Sequence, residues 1–257
     1  MIEILRDERT GRADVLFDRP AKLNALTVEM WRALAQAYRA LSAEDDLRVV
    51  VLSGRGRAFC VGADIAEFET ERAGREKALA YGETIHAAVS AIAECRHPTV
   101  AAIKGHCVGG GVEIAAYCDL RVAAEGSVFG VPIKKLGLPV DYPELAALRR
   151  LVGPANALEL LLEGRLIDAE TALAKGLVNR VVPLDAFEAE IDATAARIAE
   201  GAPLAARWHK RMLRALDGSP PLSEAERAAP FEVFDSKDYR IGTRAFIEKR
   251  DPSFVGR

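Results

Sequence analysis

Three consecutive glycines, Gly109-Gly110-Gly111, run directly into the apolar stretch VEIAAYC, and one glutamate, Glu113, stands inside it. Glycine costs a helix interior about 1 kcal/mol relative to alanine, so three in a row mark a place where bare backbone must fit. The stretch behind them reads as a helix from about Gly110, and HPTVAAIKG before them as a short buried strand. A strand, a glycine turn and a helix in that order present free amides at the helix start. Phosphate is the first anion to consider, but a P-loop requires Lys-Ser/Thr where this chain has Val112-Glu113. Neither GRGRAF nor GHCVGGG fits the G-x-G-x-x-G dinucleotide pattern. A carboxylate three residues past the central glycine repels phosphate and suits a small transient anion, such as an enolate oxygen held by N–H groups.

The rest of the chain reads as strands interleaved with helices. Residues 1–20 form a hairpin turning at Thr10-Gly11. Thr27 caps a helix in which Met30, Leu34, Tyr38 and Leu41 recur at helical spacing. RVVVLSG is a continuous β-branched run, the pattern of a strand covered on both faces. A long helix follows to about residue 93, and DLRVAA and SVFGVP are two further short strands. From Pro143 the chain turns helical, with Asp168 as an N-cap, Gly176 as a stop before the strand LVNRVV, and helices at about 184–200, 203–216 and 235–249. The strongest punctuation is DGSPPLSE at 217–224. The fold class is α/β, with a core over 1–200 and a helical region over 201–257.

With 35 basic against 38 acidic residues the net charge is −3, which points to neither a nucleic-acid nor a membrane partner. No signal peptide and no membrane-spanning run is read, and Cys60, Cys95, Cys107 and Cys118 form no C-x-x-C pair. Buried reduced thiols in a cytoplasmic protein are the expectation. Neither paired His/Cys spacing nor G-x-S-x-G is present, so no metal site and no serine nucleophile is expected.

DRPAKLNAL, GRAFCVGADIAEF, PTVAAIKGHCVGGGVEIAAYCDLRVA and AFIEKRDPSF, in that order, closely resemble the crotonase family, the enoyl-CoA hydratase/isomerase superfamily. The resemblance covers essentially the whole chain. It implies a spiral of β-β-α repeats, a C-terminal helical trimerisation region, a homotrimer or dimer of trimers, and an acyl-CoA substrate, with coenzyme A part of that substrate and no separate cofactor. Ala63 and Gly110 match the family's two oxyanion-hole donors. Lys22, Leu23 and Ile65, with Phe246 and Lys249 from the C-terminal region, match segments around the coenzyme A moiety. In the family the C-terminal pair often serves a neighbouring subunit.

Family hydratases place two glutamates around one water. Glu113 matches the first, but the second position, one residue after Phe129-Gly130-Val131-Pro132, is Ile133, which cannot transfer a proton. Asp141, in a segment resembling that of family isomerases, is the other candidate acid/base. Asp141-Tyr142-Pro143-Glu144 is also a D-x-x-E capping-box pattern that explains the aspartate without chemistry. A double-bond shift needs only one base, so the expectation is an isomerase-like proton transfer by Glu113 and/or Asp141. Hydration of a 2-enoyl-CoA is the runner-up, and a thioester hydrolase or dehalogenase using Asp141 is a further alternative. His86, on the long helix, is read as a packing or surface residue. Arg207, Lys210, Arg211 and Arg214 are read as a solvated or salt-bridging face rather than an RNA site.

Overall fold

The structure, a computed structural model, describes residues 1–216 and 221–257, so the first half of the 217–224 punctuation lies outside the described residues. Strands β1 (Ile2–Asp7) and β2 (Arg12–Phe17) form the antiparallel hairpin read from the sequence, closed by the Thr10 and Gly11 amides donating to the Asp7 carbonyl. Helix α1 (Val28–Ala43) starts at Thr27, whose hydroxyl accepts the Met30 amide, and buries Met30, Leu34, Tyr38 and Leu41. Next come β3 (Val49–Gly54), β4 (Ala58–Cys60), the one-turn α2 (Phe68–Glu71) and the long α3 (Gly74–Glu94). The pattern then repeats as β5 (Thr99–Ile103), β6 (His106–Val108) and α4 (Gly110–Tyr117), and again as β7 (Leu120–Ala124), β8 (Val128–Gly130) and α5 (Tyr142–Glu163).

Each repeat sends its first strand to one sheet and its second to another. The larger sheet runs β1-β2-β3-β5-β7-β10, parallel from β2 onward, and the smaller runs β4-β6-β8-β9, with β4, β6 and β8 parallel. This is the spiral of β-β-α units that the resemblance implied. Strands β9 (Ile167–Asp168) and β10 (Arg180–Val182) close the two sheets, with α6 (Ala169–Ala174) between them.

The continuous apolar run of β3 has a direct cause. Val50 and Leu52 face the main core with Trp31, Tyr38 and Phe59, whereas Val49 and Val51 face a second cluster built on Phe187 and Ile191 of α7 (Phe187–Ala199). Side chains alternate across a strand, so covering both faces demands apolar residues at every position.

The C-terminal region is α8 (Pro203–Leu216), α9 (Glu224–Ala228) and α10 (Lys237–Glu248). Helix α8 docks with its basic face: Lys210 Nζ meets the His97 carbonyl at 2.5 Å and Asp119 Oδ2 at 2.6 Å, Arg207 donates to the Asp45 carbonyl, and Arg214 to the Ala93 carbonyl. Leu213 and Leu216 are left exposed on the same helix. A buried carboxylate, Asp238, accepts the Val255 and Gly256 amides and ties down the end of the chain. All four cysteines are free and buried.

Candidate active site

The glycine turn is a point of backbone contact. A β-carbon on Gly62 would lie 2.5 Å from the Gly110 nitrogen, and one on Gly111 would lie 2.2 Å from the Cys60 carbonyl oxygen. Real side chains do not tolerate such distances, so the loop after β4 and the start of α4 can meet only through glycine. Trp31, fully buried, packs at 3.4 Å from the β-carbon position of Gly110 and closes one side.

Neither of the two matched amides has a backbone acceptor among the described residues. Gly110 opens α4, so its N–H has no acceptor within the helix. Ala63 forms a parallel bridge with Leu26 whose hydrogen bonds use its neighbours: Leu26 donates to the Gly62 carbonyl and Asp64 donates to the Leu26 carbonyl, both at 2.8 Å. The Ala63 N–H therefore points away from Leu26.

Glu113 lies in the first turn of α4, three residues beyond Gly110. Burial raises its pKa to about 7, the neighbouring Glu144 carboxyl adds to the rise, and Arg72 opposes it. A carboxyl tuned to neutrality can both take and return a proton at physiological pH. Arg72 is held over the rings of Phe68 and Tyr81, at 4.6 and 4.8 Å from their centroids.

Asp141 is the N-cap of α5 and accepts the Tyr142 amide at 2.7 Å in an exposed position. The capping box suggested by D-x-x-E is not completed. Glu144 is 4% exposed, and its Oε2 is buried without a hydrogen-bond partner. Its pKa is raised chiefly by burial; its own backbone amide opposes the rise, Asp141 adds to it and His86 on α3 opposes it. Ile133, in the short 3-10 turn after β8, packs against the main core. The sequence reading named Glu113 as an acid/base candidate and took Glu144 only as part of the capping pattern. The available signal was periodicity: Glu144, Ala147 and Leu148 share the buried stripe of α5.

Lys22, Leu23 and Ile65 come together around Asp64. Leu23 and Asn24 both have positive φ, 51° and 58°, which is uncommon for residues other than glycine. Asn24 holds this turn: its Oδ1 accepts the Arg19 amide, and its Nδ2 reaches the carbonyls of Arg55, Ala58 and Phe59. Arg19 in turn pairs with Asp64 at 2.6 Å, tying the turn to the loop that carries Ala63, and both Arg19 and Lys22 help hold the Asp64 carboxyl below its usual range. Asn24 and Arg19 lie in the quoted motif but were not singled out from sequence. Ile65 is exposed beside this turn. Phe246 and Lys249 are elsewhere, at the exposed end of α10, which packs on the 3-10 segment Ala229–Asp235. Among the described residues, no group of three or more His, Cys, Asp or Glu could hold a metal ion, and no helix is long and apolar enough to cross a membrane.

The family described as enoyl-CoA hydratase/isomerase matches residues 7–257. A Mycobacterium bovis protein named "Probable enoyl-CoA hydratase" is 37% identical over 260 residues, covering 100% of this chain and 98% of the relative. The crystal structure of an enoyl-CoA hydratase/carnithine racemase from Magnetospirillum magneticum superposes with a TM-score of 0.97 at 49% identity, covering 100% of this chain and 96% of that one. An enoyl-CoA hydratase structure from Mycobacterium smegmatis gives a TM-score of 0.91 at 31% identity, covering 98% of each chain. The strand-by-strand spiral, the glycine contact between its turns and these likenesses agree: the chain belongs to the enoyl-CoA hydratase/isomerase family and is an enzyme of that type.

Proposed function

We propose that the protein moves a proton on an enoyl-CoA thioester, with Glu113 as the base. The observation that carries this reading is a carboxyl with a pKa of about 7 set three residues beyond an open amide at Gly110. The thioester carbonyl accepts from the Ala63 and Gly110 amides, and the same amides stabilise the enolate as a proton leaves C2. Losing one such donor typically costs about 3–4 kcal/mol of transition-state stabilisation. Lys22, Leu23 and Ile65 border the coenzyme A moiety, with Phe246 and Lys249 supplied by a neighbouring copy. The exposed Leu213, Leu216, Phe246 and Ile247 of α8 and α10 support residues 201–257 as the region through which copies assemble, in a trimer or dimer of trimers.

A double-bond shift is the reaction that Glu113 accomplishes alone. It takes a proton from C2 of a 3-enoyl-CoA, the amides hold the dienolate, and a proton returns at C4. Hydration of a 2-enoyl-CoA is the second reading, favoured by the Glu144 carboxyl beside Glu113 and in keeping with the names of the relatives. The hydrolase or dehalogenase alternative loses support, because Asp141 is exposed and engaged by its own helix.

Mass spectrometry in D2O with a 3-enoyl-CoA and a 2-enoyl-CoA in parallel tests this. The expected result is conversion of the 3-enoyl substrate to its 2-enoyl isomer without gain of water, reduced about 10²–10⁴-fold by Glu113→Gln. Water gain by the 2-enoyl substrate at a comparable rate selects hydration. Turnover of neither sinks the proposal.

A further inference from the structure

Two buried carboxyls on packed helices, Glu113 and Glu144, act on one another electrostatically, and the double-bond shift above uses only one. Glu144 enters from the first turn of α5, which packs against α4. It is 4% exposed, yet its Oε2 has no partner. A buried, unsatisfied carboxyl oxygen costs free energy, and native proteins seldom retain one without use. Its helix offers an easy alternative, since a capping box with Asp141 would satisfy this side chain. The bond is not made, and the carboxyl stays on the buried face.

The surroundings fix what Glu144 can do. From α4 it is faced by Glu113 and by Tyr117, one turn further on, whose hydroxyl pKa is raised by burial and then by Glu144. From α3 it is faced by His86, and from its own helix start by Asp141. Arg150 acts on Tyr117, and Arg72 on Glu113. Burial disfavours the charged form of each carboxyl, and the Glu144 charge raises the pKa of Glu113. One ionised and one protonated carboxyl is the state a two-ended proton transfer needs.

We propose that Glu144 is the second acid/base group of this site, delivering a proton to the acyl chain at the carbon remote from the thioester while Glu113 handles C2. This deepens the proton-transfer reading and rests on it. In the double-bond shift, the C2–H bond breaks and its proton passes to the Glu113 carboxylate. The electron pair delocalises through C2, C3 and C4 and onto the thioester oxygen, held by Ala63 and Gly110. The Glu144 O–H bond then breaks, its proton forms the new C4–H bond, and the double bond settles between C2 and C3. Glu113 then releases its proton to solvent and the Glu144 carboxylate takes one from solvent, so the pair returns to its starting state with no net proton gained or lost. Glu113 shares the first turn of α4 with the Gly110 amide proposed to hold the thioester oxygen, whereas Glu144 belongs to another helix. With Ile133 apolar, Glu144 supplies the second carboxyl that the sequence lacks at that position.

The test uses a 3-enoyl-CoA deuterated at C2, in H2O, with the wild-type protein, Glu144→Gln and Glu113→Gln. The wild type is expected to form a 2-enoyl product carrying solvent protium at C4. Glu144→Gln is expected to turn over about 10²-fold or more slowly. It should still wash deuterium out of C2 within about tenfold of the wild-type rate. Glu113→Gln should lose both washout and turnover. The pH profile of washout supplies a further readout: because the two carboxyls are coupled, losing the Glu144 carboxyl should move the Glu113 limb away from about 7. Wild-type turnover in Glu144→Gln, or deuterium retained at C4 by the wild type, overturns the assignment of Glu144 alone. A wild type that neither washes out C2 deuterium nor isomerises overturns the proton-transfer reading beneath it.

Discussion

Two helices of this protein begin with a cap followed three residues later by glutamate, and they put that glutamate to opposite uses. At α9, Ser223 accepts the Glu226 amide, and Glu226 Oε2 reaches back to the Ser223 amide at 2.8 Å and hydroxyl at 2.7 Å. At α5, Asp141 caps the first amide, but Glu144 leaves the reciprocal bond unmade. The exposed Glu226 carboxyl has a lowered pKa, chiefly through the Ser223 hydroxyl, whereas burial raises that of Glu144. Local spelling offers both glutamates the same bond. Packing withholds it from one and leaves that carboxyl buried with Oε2 unpartnered.

The largest effect that sharpens this contrast comes from Glu113, the partner of Glu144. A carboxyl with pKa about 7 in the fold and about 4.5 when unfolded costs nothing below pH 4.5, where both states are protonated. As pH rises from 4.5 to 7 the unfolded chain releases its proton first, so stability falls, and above 7 the penalty is constant. Glu113→Gln should therefore gain up to about 3 kcal/mol over wild type at pH 8 and little at pH 4. Urea titrations at the two pH values measure this. A gain that does not depend on pH would mean that the carboxyl is not held near neutrality.

Next comes Glu144→Met, which removes a buried unsatisfied acceptor at similar length and should stabilise the fold at pH 8 by about 1–3 kcal/mol. Destabilisation of that size would mean that Glu144 is held by a bond essential to the fold, and the comparison would fail. The caps are expected to be equivalent: Asp141→Ala and Ser223→Ala should each cost about 1 kcal/mol, whereas Asp141→Asn should cost little and keep turnover within a few-fold. Loss of turnover in Asp141→Asn with intact stability would give the aspartate a chemical role. The smallest effect belongs to Glu226→Gln, which should leave turnover unchanged and barely shift the thermal midpoint, since an amide oxygen can still close the box.

Much of the fold was legible. The hairpin at Thr10-Gly11, the helix begun at Thr27 and the β-branched run of β3 each carry signals set by neighbours in the chain, and each formed where expected. The crotonase spiral was legible by resemblance rather than by pattern, because strands as short as Ala58–Cys60 and Val128–Gly130 have no periodicity to read. In the site, Gly110 and Glu113 announce themselves as a glycine turn and a carboxylate in an apolar run. Asn24 did not, although it fixes the turn bearing Leu23, because its carbonyl partners lie more than thirty residues away.

The basic face of α8 shows the same limit from the other side. Its cations were read as a solvated or salt-bridging surface, and Lys210 does pair with Asp119. Three of them also reach backbone carbonyls of the core, leaving Leu213 and Leu216 outward. Amphipathic spacing says that a helix has two faces; it does not say which one turns inward when backbone acceptors await cations.

By itself, then, the sequence determined where strands and helices begin, that backbone must meet backbone at Gly109–Gly111, and that one carboxylate stands beyond that meeting. These follow from propensity, periodicity and the missing β-carbon, all properties of adjacent residues. Only the tertiary structure decided that Gly62 is what Gly110 meets, that Asn24 pins the turn beside it, and that Glu144 leaves its cap to face Glu113. The reason is dielectric as much as geometric. A carboxyl's proton affinity depends on which charges and how much water surround it, and those are set by chain segments far away in sequence.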